Sequence, residues 1–412
     1  MCTKQFALLC QHFYPEMVST GMHMTELATR LSEMGWQITV YCAWPSWGTE
    51  TADTTPITEY QGVQIIRVPT IGDQQSSLLS RALFALSFLV STGWRVWRER
   101  EQFSGLVLTT NPPFLGLLGW LFSVLFGKPY LLIVYDVYPD IAVNLGVLSP
   151  QSLITRIWAR VTRLIFRHAA VLVVIGRDMA KVVREKVPLA GHGRIILIPN
   201  WSDERHIQPI PAEANRFRQE LGLNGRFVVQ YAGRMGRTHN LEPLLEAARM
   251  MADEPVHFQF IGEGAKKASL EKLAEQYKLQ NVSFLPHQPM NRLAEMLSAA
   301  DLAVVCLEPA FTGLSVPSKS YGILASGTPI LGFMDAENEI SQMIQETGCG
   351  LVLEEPDEGQ VTAVIRTLRN NPQQCRTMAQ AGRTTFLRCY TLEHAAQAYD
   401  KALSAMLTRP GD

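Results

Sequence analysis

Phe227-Val228-Val229-Gln230-Tyr231-Ala232-Gly233-Arg234 is the stretch whose surroundings decide the fold. An apolar run of strand length passes straight into a glycine and a basic residue, ahead of a helical stretch at 241–251. A strand covered on both faces reads as such a continuous apolar run, and its carboxyl end is where an open α/β sheet presents a ligand-facing turn. What precedes the stretch gives it its meaning. Pro199, Pro209 and Pro211 fall within residues 199–211, the composition of a linker.

Working outward, strand-length runs at 6–10, 37–42, 105–109, 130–135, 171–175 and 195–198 alternate with helical stretches such as 22–34 and 152–168. Beyond the linker the alternation restarts, with runs at 256–261, 282–285, 302–306, 329–332 and 350–353. Two successive βα series predict an α/β protein of two Rossmann-like doubly wound domains facing each other across a cleft. The expected domains are 1–207 and 208–390, with a last helix within 391–412 packing back onto the first.

Composition narrows the function. The chain has 412 residues, 47% of them hydrophobic, so it can bury a large core. Charged residues make up only 18%, below the roughly 25% usual in soluble domains. A net charge of −1 excludes a nucleic-acid binder that works by bulk positive charge. Seven cysteines with no Cys-x-x-Cys pair form neither a disulfide framework nor a zinc site, and they indicate a reducing compartment. The run 6–10 is too short for a signal-peptide core. The apolar segment 114–127 is too short to cross a hydrocarbon layer of about 30 Å at 1.5 Å per residue.

Chemistry is sought in the loops after the strands. After the first come His12 and Glu16, both able to contact a sugar, and then Gly21 ahead of a helix. The run ending at Tyr135 leads into Asp136-Val137-Tyr138-Pro139-Asp140. There Asp136 is the candidate for a polar contact to substrate, and Asp140 is expected to cap a helix. Gly233 and Arg234 combine close backbone approach with a bidentate cation suited to phosphate. Gly262-Glu263-Gly264 looks like a dinucleotide fingerprint but is not one, because Lys267 stands where the third small residue is required. Finally, Pro317-Ser318-Lys319-Ser320-Tyr321-Gly322 brings a lysine to the start of a helix, where it can serve an anionic ligand.

Taken in order, Tyr14-Pro15-Glu16 with Gly21, Asn111-Pro112-Pro113, Asp136-Val137-Tyr138-Pro139-Asp140, Ile198-Pro199-Asn200, Gly233-Arg234, Gly262-Glu263-Gly264 and Ala325-Ser326-Gly327-Thr328-Pro329 resemble glycosyltransferase family 4. The likeness is to its bacterial capsule, colanic-acid and O-antigen branch. The resemblance implies a GT-B fold and a retaining transfer from a nucleotide-sugar donor, usually UDP-linked, to a lipid-linked or saccharide acceptor. It also implies no metal and no cofactor, the nucleotide-sugar being a substrate. On this resemblance Asp136, Arg234 and Lys319 are the catalytic candidates. Gly21, Gly233, Glu263, Ser318, Tyr321 and Gly322 fall on the donor side, and His12, Glu16 and Tyr138 on the acceptor side. Two positions depart from the family. Its Glu-x7-Glu pair falls on Leu314 and Gly322, with Glu308 nearby, and its second basic residue falls on Asn240, which leaves Lys319 or Arg237 to supply that charge.

Charge is unevenly spread. Residues 78–186 carry 13 Lys and Arg against 6 Asp and Glu, a net of +7. At 100° per residue, Arg156, Arg160, Arg163 and Arg167 share a stripe about 60° wide on the helix 152–168, beside an apolar sector. A basic amphipathic helix suits an anionic membrane surface, so the expectation is a cytoplasmic protein held peripherally on the inner face of the cytoplasmic membrane. Two alternatives share this domain plan: a sugar-nucleotide epimerase of GT-B shape, and a non-catalytic nucleotide-sugar-binding subunit.

Overall fold

The computed structural model describes residues 4–16, 19–45, 55–72 and 78–408. The chain forms two compact units. The first comprises residues 1–200, 313–315 and 392–412, and the second comprises 201–312 and 316–391.

The first unit is built on an eight-stranded sheet. Its strands are β1 (Gln5–Leu9), β2 (Gln37–Cys42), β3 (Ile57–Tyr60), β4 (Val63–Arg67), β5 (Gly105–Thr109), β6 (Tyr130–Val134), β7 (Val171–Val174) and β8 (Ile195–Leu197). They lie in the order β3-β4-β2-β1-β5-β6-β7-β8, parallel throughout except for the β3–β4 hairpin. Strands β5, β6 and β7 are buried along their whole length, which explains their unbroken apolar sequences. Chain order reverses between β1 and β5, so the crevice of this doubly wound sheet opens beyond their carboxyl ends. Three cis X-Pro bonds, Tyr14–Pro15, Asn111–Pro112 and Tyr138–Pro139, stand just past β1, β5 and β6.

The hairpin β3–β4 escaped the sequence reading, and Gln61-Gly62 is the signal that marks it. Both residues have positive φ, 49° and 77°, as a two-residue turn of the hairpin-favouring kind requires. The last helix, Leu392–Thr408, belongs to the first unit. It buries Leu392, Tyr399, Leu403 and Met406, while Glu393 accepts from Arg30 Nε (2.9 Å) and Asp400 from Trp36 Nε1 (2.8 Å). Two expectations near the first crevice need correction. Gly21 lies inside the helix Ser19–Glu33, not ahead of it. Asp140 opens the helix Asp140–Asn144 without capping it, because its carboxylate is drawn to Lys186 Nζ at 2.8 and 3.0 Å.

The second unit carries a six-stranded parallel sheet of β9 (Phe227–Ala232), β10 (Val256–Ile261), β11 (Val282–Leu285), β12 (Leu302–Cys306), β13 (Ile330–Phe333) and β14 (Gly350–Leu353). The order is β11-β10-β9-β12-β13-β14, with its reversal between β9 and β12. The chain leaving β9 is therefore the Gly233-Arg234 turn at this sheet's own switch point. A buried Arg218 anchors the sheet's other end by donating to Asp301 Oδ2 (3.0 Å), which also accepts from Val228 N (2.7 Å).

The turns after β9 and β10 pack backbone on backbone. A Cβ on Gly262 (φ +128°) would stand 2.3 Å from the Gly233 carbonyl oxygen, and one on Gly264 (φ +155°) 2.3 Å from that of Met235. Neither contact tolerates a side chain, and neither φ suits one. Gly262→Ala should cost about 1–3 kcal/mol. For a domain of this size that lowers the melting temperature by about 2–12 °C. A wild-type melting curve would contradict the packing described here.

Candidate active site

In the second unit the site grows from β9. Tyr231 is fully buried, its hydroxyl donates to the Arg234 carbonyl (2.6 Å), and its ring forms a floor beneath the turn. Lys319, the first residue of the helix Lys319–Ala325, sets its ammonium on that ring, 3.7 Å from the centroid. The same Nζ would be 3.0 Å from a Cβ on Gly233, a tight approach at a residue whose φ of +134° also favours glycine. The Nζ atom is shielded from solvent and has no hydrogen-bond acceptor. Burial pulls its pKa down from 10.5 to about 8, against a small upward pull from Cys306.

The sign is informative. Below about pH 8 the folded protein holds a charge that the unfolded chain carries more cheaply, and this cost fades as pH rises towards the unfolded lysine value near 10.4. A cation–π contact recovers only part of it. An anion brought to this point would supply the missing acceptor.

The neighbouring imidazole adds no second charge beside the ammonium. His239 is held at about pKa 3, first by burial and then by the Lys319 charge, so it is neutral at pH 7; its Nδ1 lies 3.2 Å from Thr238 Oγ1. Glu308, after β12, uses its backbone N–H on the Thr238 carbonyl (3.0 Å). Arg234 and Arg237 are exposed. Glu263, also exposed, bonds to Lys267 Nζ at 2.7 Å. Ser318 is half-buried, while Tyr321 is a core residue, its ring tilted against Tyr390 at 5.0 Å. A Cβ on Gly322 would meet the apolar carbons Leu297 Cδ1 (3.3 Å) and Ile207 Cδ1 (3.7 Å). Gly233 and Lys319 thus meet over the Tyr231 ring, with Arg234 next in the same turn and exposed, whereas Tyr321 serves packing. Tyr231 and His239 were not singled out from the sequence, where they read as strand and loop residues.

In the first unit, His12 and Glu16 are both buried and turned towards each other. His12 Nδ1 donates to Glu16 Oε2 at 2.6 Å, and Gln11 Nε2 stands 3.0 Å from His12 Nε2. The pair braces its loop from within instead of presenting free polar groups to a sugar. Asp136 is differently placed. Its backbone N–H, like that of Tyr135, donates to Thr110 Oγ1, and burial lifts its carboxyl to about pKa 6 despite a hydrogen bond from Ser315. It lines a small pocket with Thr110, Phe114, Tyr138, Trp158 and Thr162. Trp158 lies between two rings, 4.6 Å from Phe114 and 5.6 Å from Tyr138, the latter nearly parallel at 10°. Phe114 has φ +72°, an unusual cost for a bulky residue, held by its neighbours at the pocket wall. Ser315 comes from the second half of the sequence but belongs to the first unit, together with Gly313 and Leu314; Leu314 O accepts from Val137 N (3.0 Å). No reading of local sequence pairs it with Asp136. Among the described residues no His, Cys, Asp and Glu cluster has metal-holding geometry.

Comparison with known proteins agrees with this layout. Residues 20–201 match the family model described as "Glycosyl transferase 4-like domain", and residues 213–385 that described as "Glycosyl transferases group 1". A Pseudomonas aeruginosa protein named as a probable glycosyltransferase, WbjE, is 35% identical over 280 residues, 67% of this chain and 68% of its own length. WcaI of Escherichia coli, named for glycosyl transfer in colanic acid biosynthesis, is 26% identical over 368 residues, covering 87% and 89% of the two chains. In structure, sucrose-phosphate synthase from Thermosynechococcus elongatus superposes with a TM-score of 0.76 at 20% identity, over 97% of this chain and 99% of that one. Anabaena HepE in complex with UDP-glucose gives 0.74 at 13%, with the same coverage. The two matched models and the WbjE relationship place this chain in glycosyltransferase family 4, as a glycosyltransferase of the GT-B class.

Proposed function

We propose that the protein is a retaining glycosyltransferase of bacterial surface-polysaccharide assembly, moving a sugar from a UDP-linked donor to a lipid-linked or saccharide acceptor. The observation that carries the donor side is the Lys319 ammonium, shielded from solvent and without an acceptor, beside the Gly233-Arg234 turn. A diphosphate is the anion that answers it. As the bond from sugar to diphosphate breaks, negative charge grows on the departing phosphate, and fixed cations stabilise that state more than the ground state. Arg234 supplies a planar fork of donors, and Lys319 a point charge. This division lets the site work without a metal or other cofactor. Asp136 serves the transferring sugar, and the Phe114–Trp158–Tyr138 rings of the same pocket suit the apolar face of an acceptor sugar. The names of WbjE and WcaI support the transfer and its setting, and the UDP-glucose held by HepE supports the donor. The reading places the protein in the cytoplasm, on the inner face of the cytoplasmic membrane where lipid-linked acceptors lie.

Arg234→Ala and Lys319→Met should each slow sugar transfer by about 10²–10³-fold, the effect of one well-placed donor. Lys319→Met should at the same time melt no lower than wild type, since it removes a charge the fold does not satisfy. Transfer within a few-fold of wild type in both variants would sink the assignment.

The lysine also predicts a pH dependence. With a free-state pKa of about 8, raised when a diphosphate binds, UDP affinity should change little between about pH 7 and 7.5, above the terminal phosphate's own ionisation near pH 6. Above about pH 8.5 it should weaken, approaching tenfold per pH unit, as binding comes to require proton uptake. Isothermal titration across this range checks it, and Lys319→Met should abolish the slope. An unchanged slope in that variant would assign the proton elsewhere.

A further inference from the structure

The helix Leu153–His168 holds its place by an unexpected face. Its buried residues are Thr155, Thr162, Ile165 and Phe166, on the side away from the arginine stripe. Leu153, Ile154 and Ile157 are exposed, and so are Arg156, Arg160, Arg163 and Arg167. The helix therefore turns arginines and apolar side chains outward together. A helix needed only for packing would bury the latter.

Its neighbours continue this surface. The helix Gly116–Phe126 packs on it, with Gly116 meeting Ile165, and exposes Leu121, Val124 and Leu125. The helix Leu78–Arg98 packs on that one in turn, Gly93 against Leu118. It exposes Leu79, Leu83, Leu86, Val90, Trp94 and Trp97 along one unbroken stripe, while Phe84, Phe88 and Val96 are buried. At its end Arg100 lies over both Trp97 and Phe126, so the outer faces of these two helices adjoin. Of the 23 large apolar side chains exposed among the described residues, twelve sit on these three helices, against four in the second unit. So large a patch on one side marks an interaction surface.

We propose that these three helices form one seat that lies in the plane of an anionic membrane leaflet, with the stripe of Leu78–Arg98 in the acyl region and the arginines of Leu153–His168 on the lipid phosphates. Charge chooses the bilayer over a second copy of the chain. No Asp or Glu occurs between Asp140 and Asp178, so two such faces brought together hold no acid on this helix to answer its arginines. Between residues 78 and 126 the only acids are Glu99 and Glu101, and each already pairs with an arginine, Arg95 at 2.6 Å and Arg100 at 3.4 Å. Anionic lipid answers the arginines directly. No helix among the described residues is long and apolar enough to cross a membrane, and none is needed for a helix lying in its surface. Two tryptophans at the end of the stripe suit the depth where headgroups meet acyl chains.

The seat bears on the reaction through one shared element. The inner side of Leu153–His168 supplies Trp158 and Thr162 to the pocket that holds Asp136, while its outer side faces the lipid. Pocket and leaflet are then separated by about one helix diameter, some 10 Å. Resting on the reading above that the acceptor is lipid-linked, this geometry brings its headgroup to the pocket from the bilayer side.

Flotation of the full chain with vesicles tests the seat, with UDP binding measured on the same preparations. Wild type should float with phosphatidylcholine vesicles containing about one-third phosphatidylglycerol, much less with phosphatidylcholine alone, and its tryptophan emission should be quenched by brominated acyl chains. Leu83→Glu/Val90→Glu and Arg156→Glu/Arg160→Glu should each lower partitioning by about tenfold or more, while melting temperature and UDP affinity stay at wild-type values. All changed side chains are exposed, so the fold is not at stake. Wild type that binds UDP yet ignores both vesicle types overturns the seat and leaves the donor reading standing; failure to bind UDP counts against that reading instead. A dimer in solution that Leu83→Glu/Val90→Glu dissociates, with flotation unchanged, also overturns the proposal, since a second copy then covers the face.

Discussion

A positive charge lodged on an aromatic ring, with no anion of its own, is the constraint around which the second unit is arranged. The Lys319 ammonium has Gly233 for space, Tyr231 for a floor and a His239 that stays neutral beside it. Gly262 and Gly264 are bare because the turn that holds this seat leans on them. Each residue is costly or ordinary alone. Together they keep a desolvated cation ready for a diphosphate, which electrostatic catalysis needs before its substrate arrives. Gly322, at a position of the Glu-x7-Glu departure, packs next to Leu297 and Ile207.

Much of the fold was legible because continuous apolar strands, helical stretches and a proline-rich linker are properties of neighbouring residues. The strand order, and with it both switch points, is not written in that alternation, whereas Gly233, Arg234, Lys319 and Asp136 stand out because each lies in a loop just after a strand or at a helix start. What escaped depends on distance in the chain. Ser315 reaches Asp136 from the second half of the sequence, and Trp158 joins Phe114 and Tyr138 across separate elements. His12 and Glu16 looked like free sugar contacts because the sequence does not show that they satisfy each other at 2.6 Å. Asp140 looked like a cap because Lys186 is 46 residues away. The hairpin at Gln61-Gly62 was the one local signal passed over.

The helix Leu153–His168 shows why periodicity alone leaves direction open. An arginine stripe beside an apolar sector predicts that one of them faces the protein. In the structure the arginines face outward with Leu153, Ile154 and Ile157, and only the edge of the apolar sector, at Ile165, joins Thr155, Thr162 and Phe166 in the inward contact. The low overall charge of the chain is thus partly the apolar surface of the first unit, and its arginines are gathered where that surface is.

The account stands or falls on Lys319. The most direct measurement follows the lysine side-chain carbons by NMR through a pH titration, with the Lys319 signal assigned by its loss in Lys319→Arg. The expected result is a Lys319 pKa near 8 in the free protein, rising by at least one unit when UDP is added. A Lys319 that titrates near 10.4 and is indifferent to UDP would contradict it.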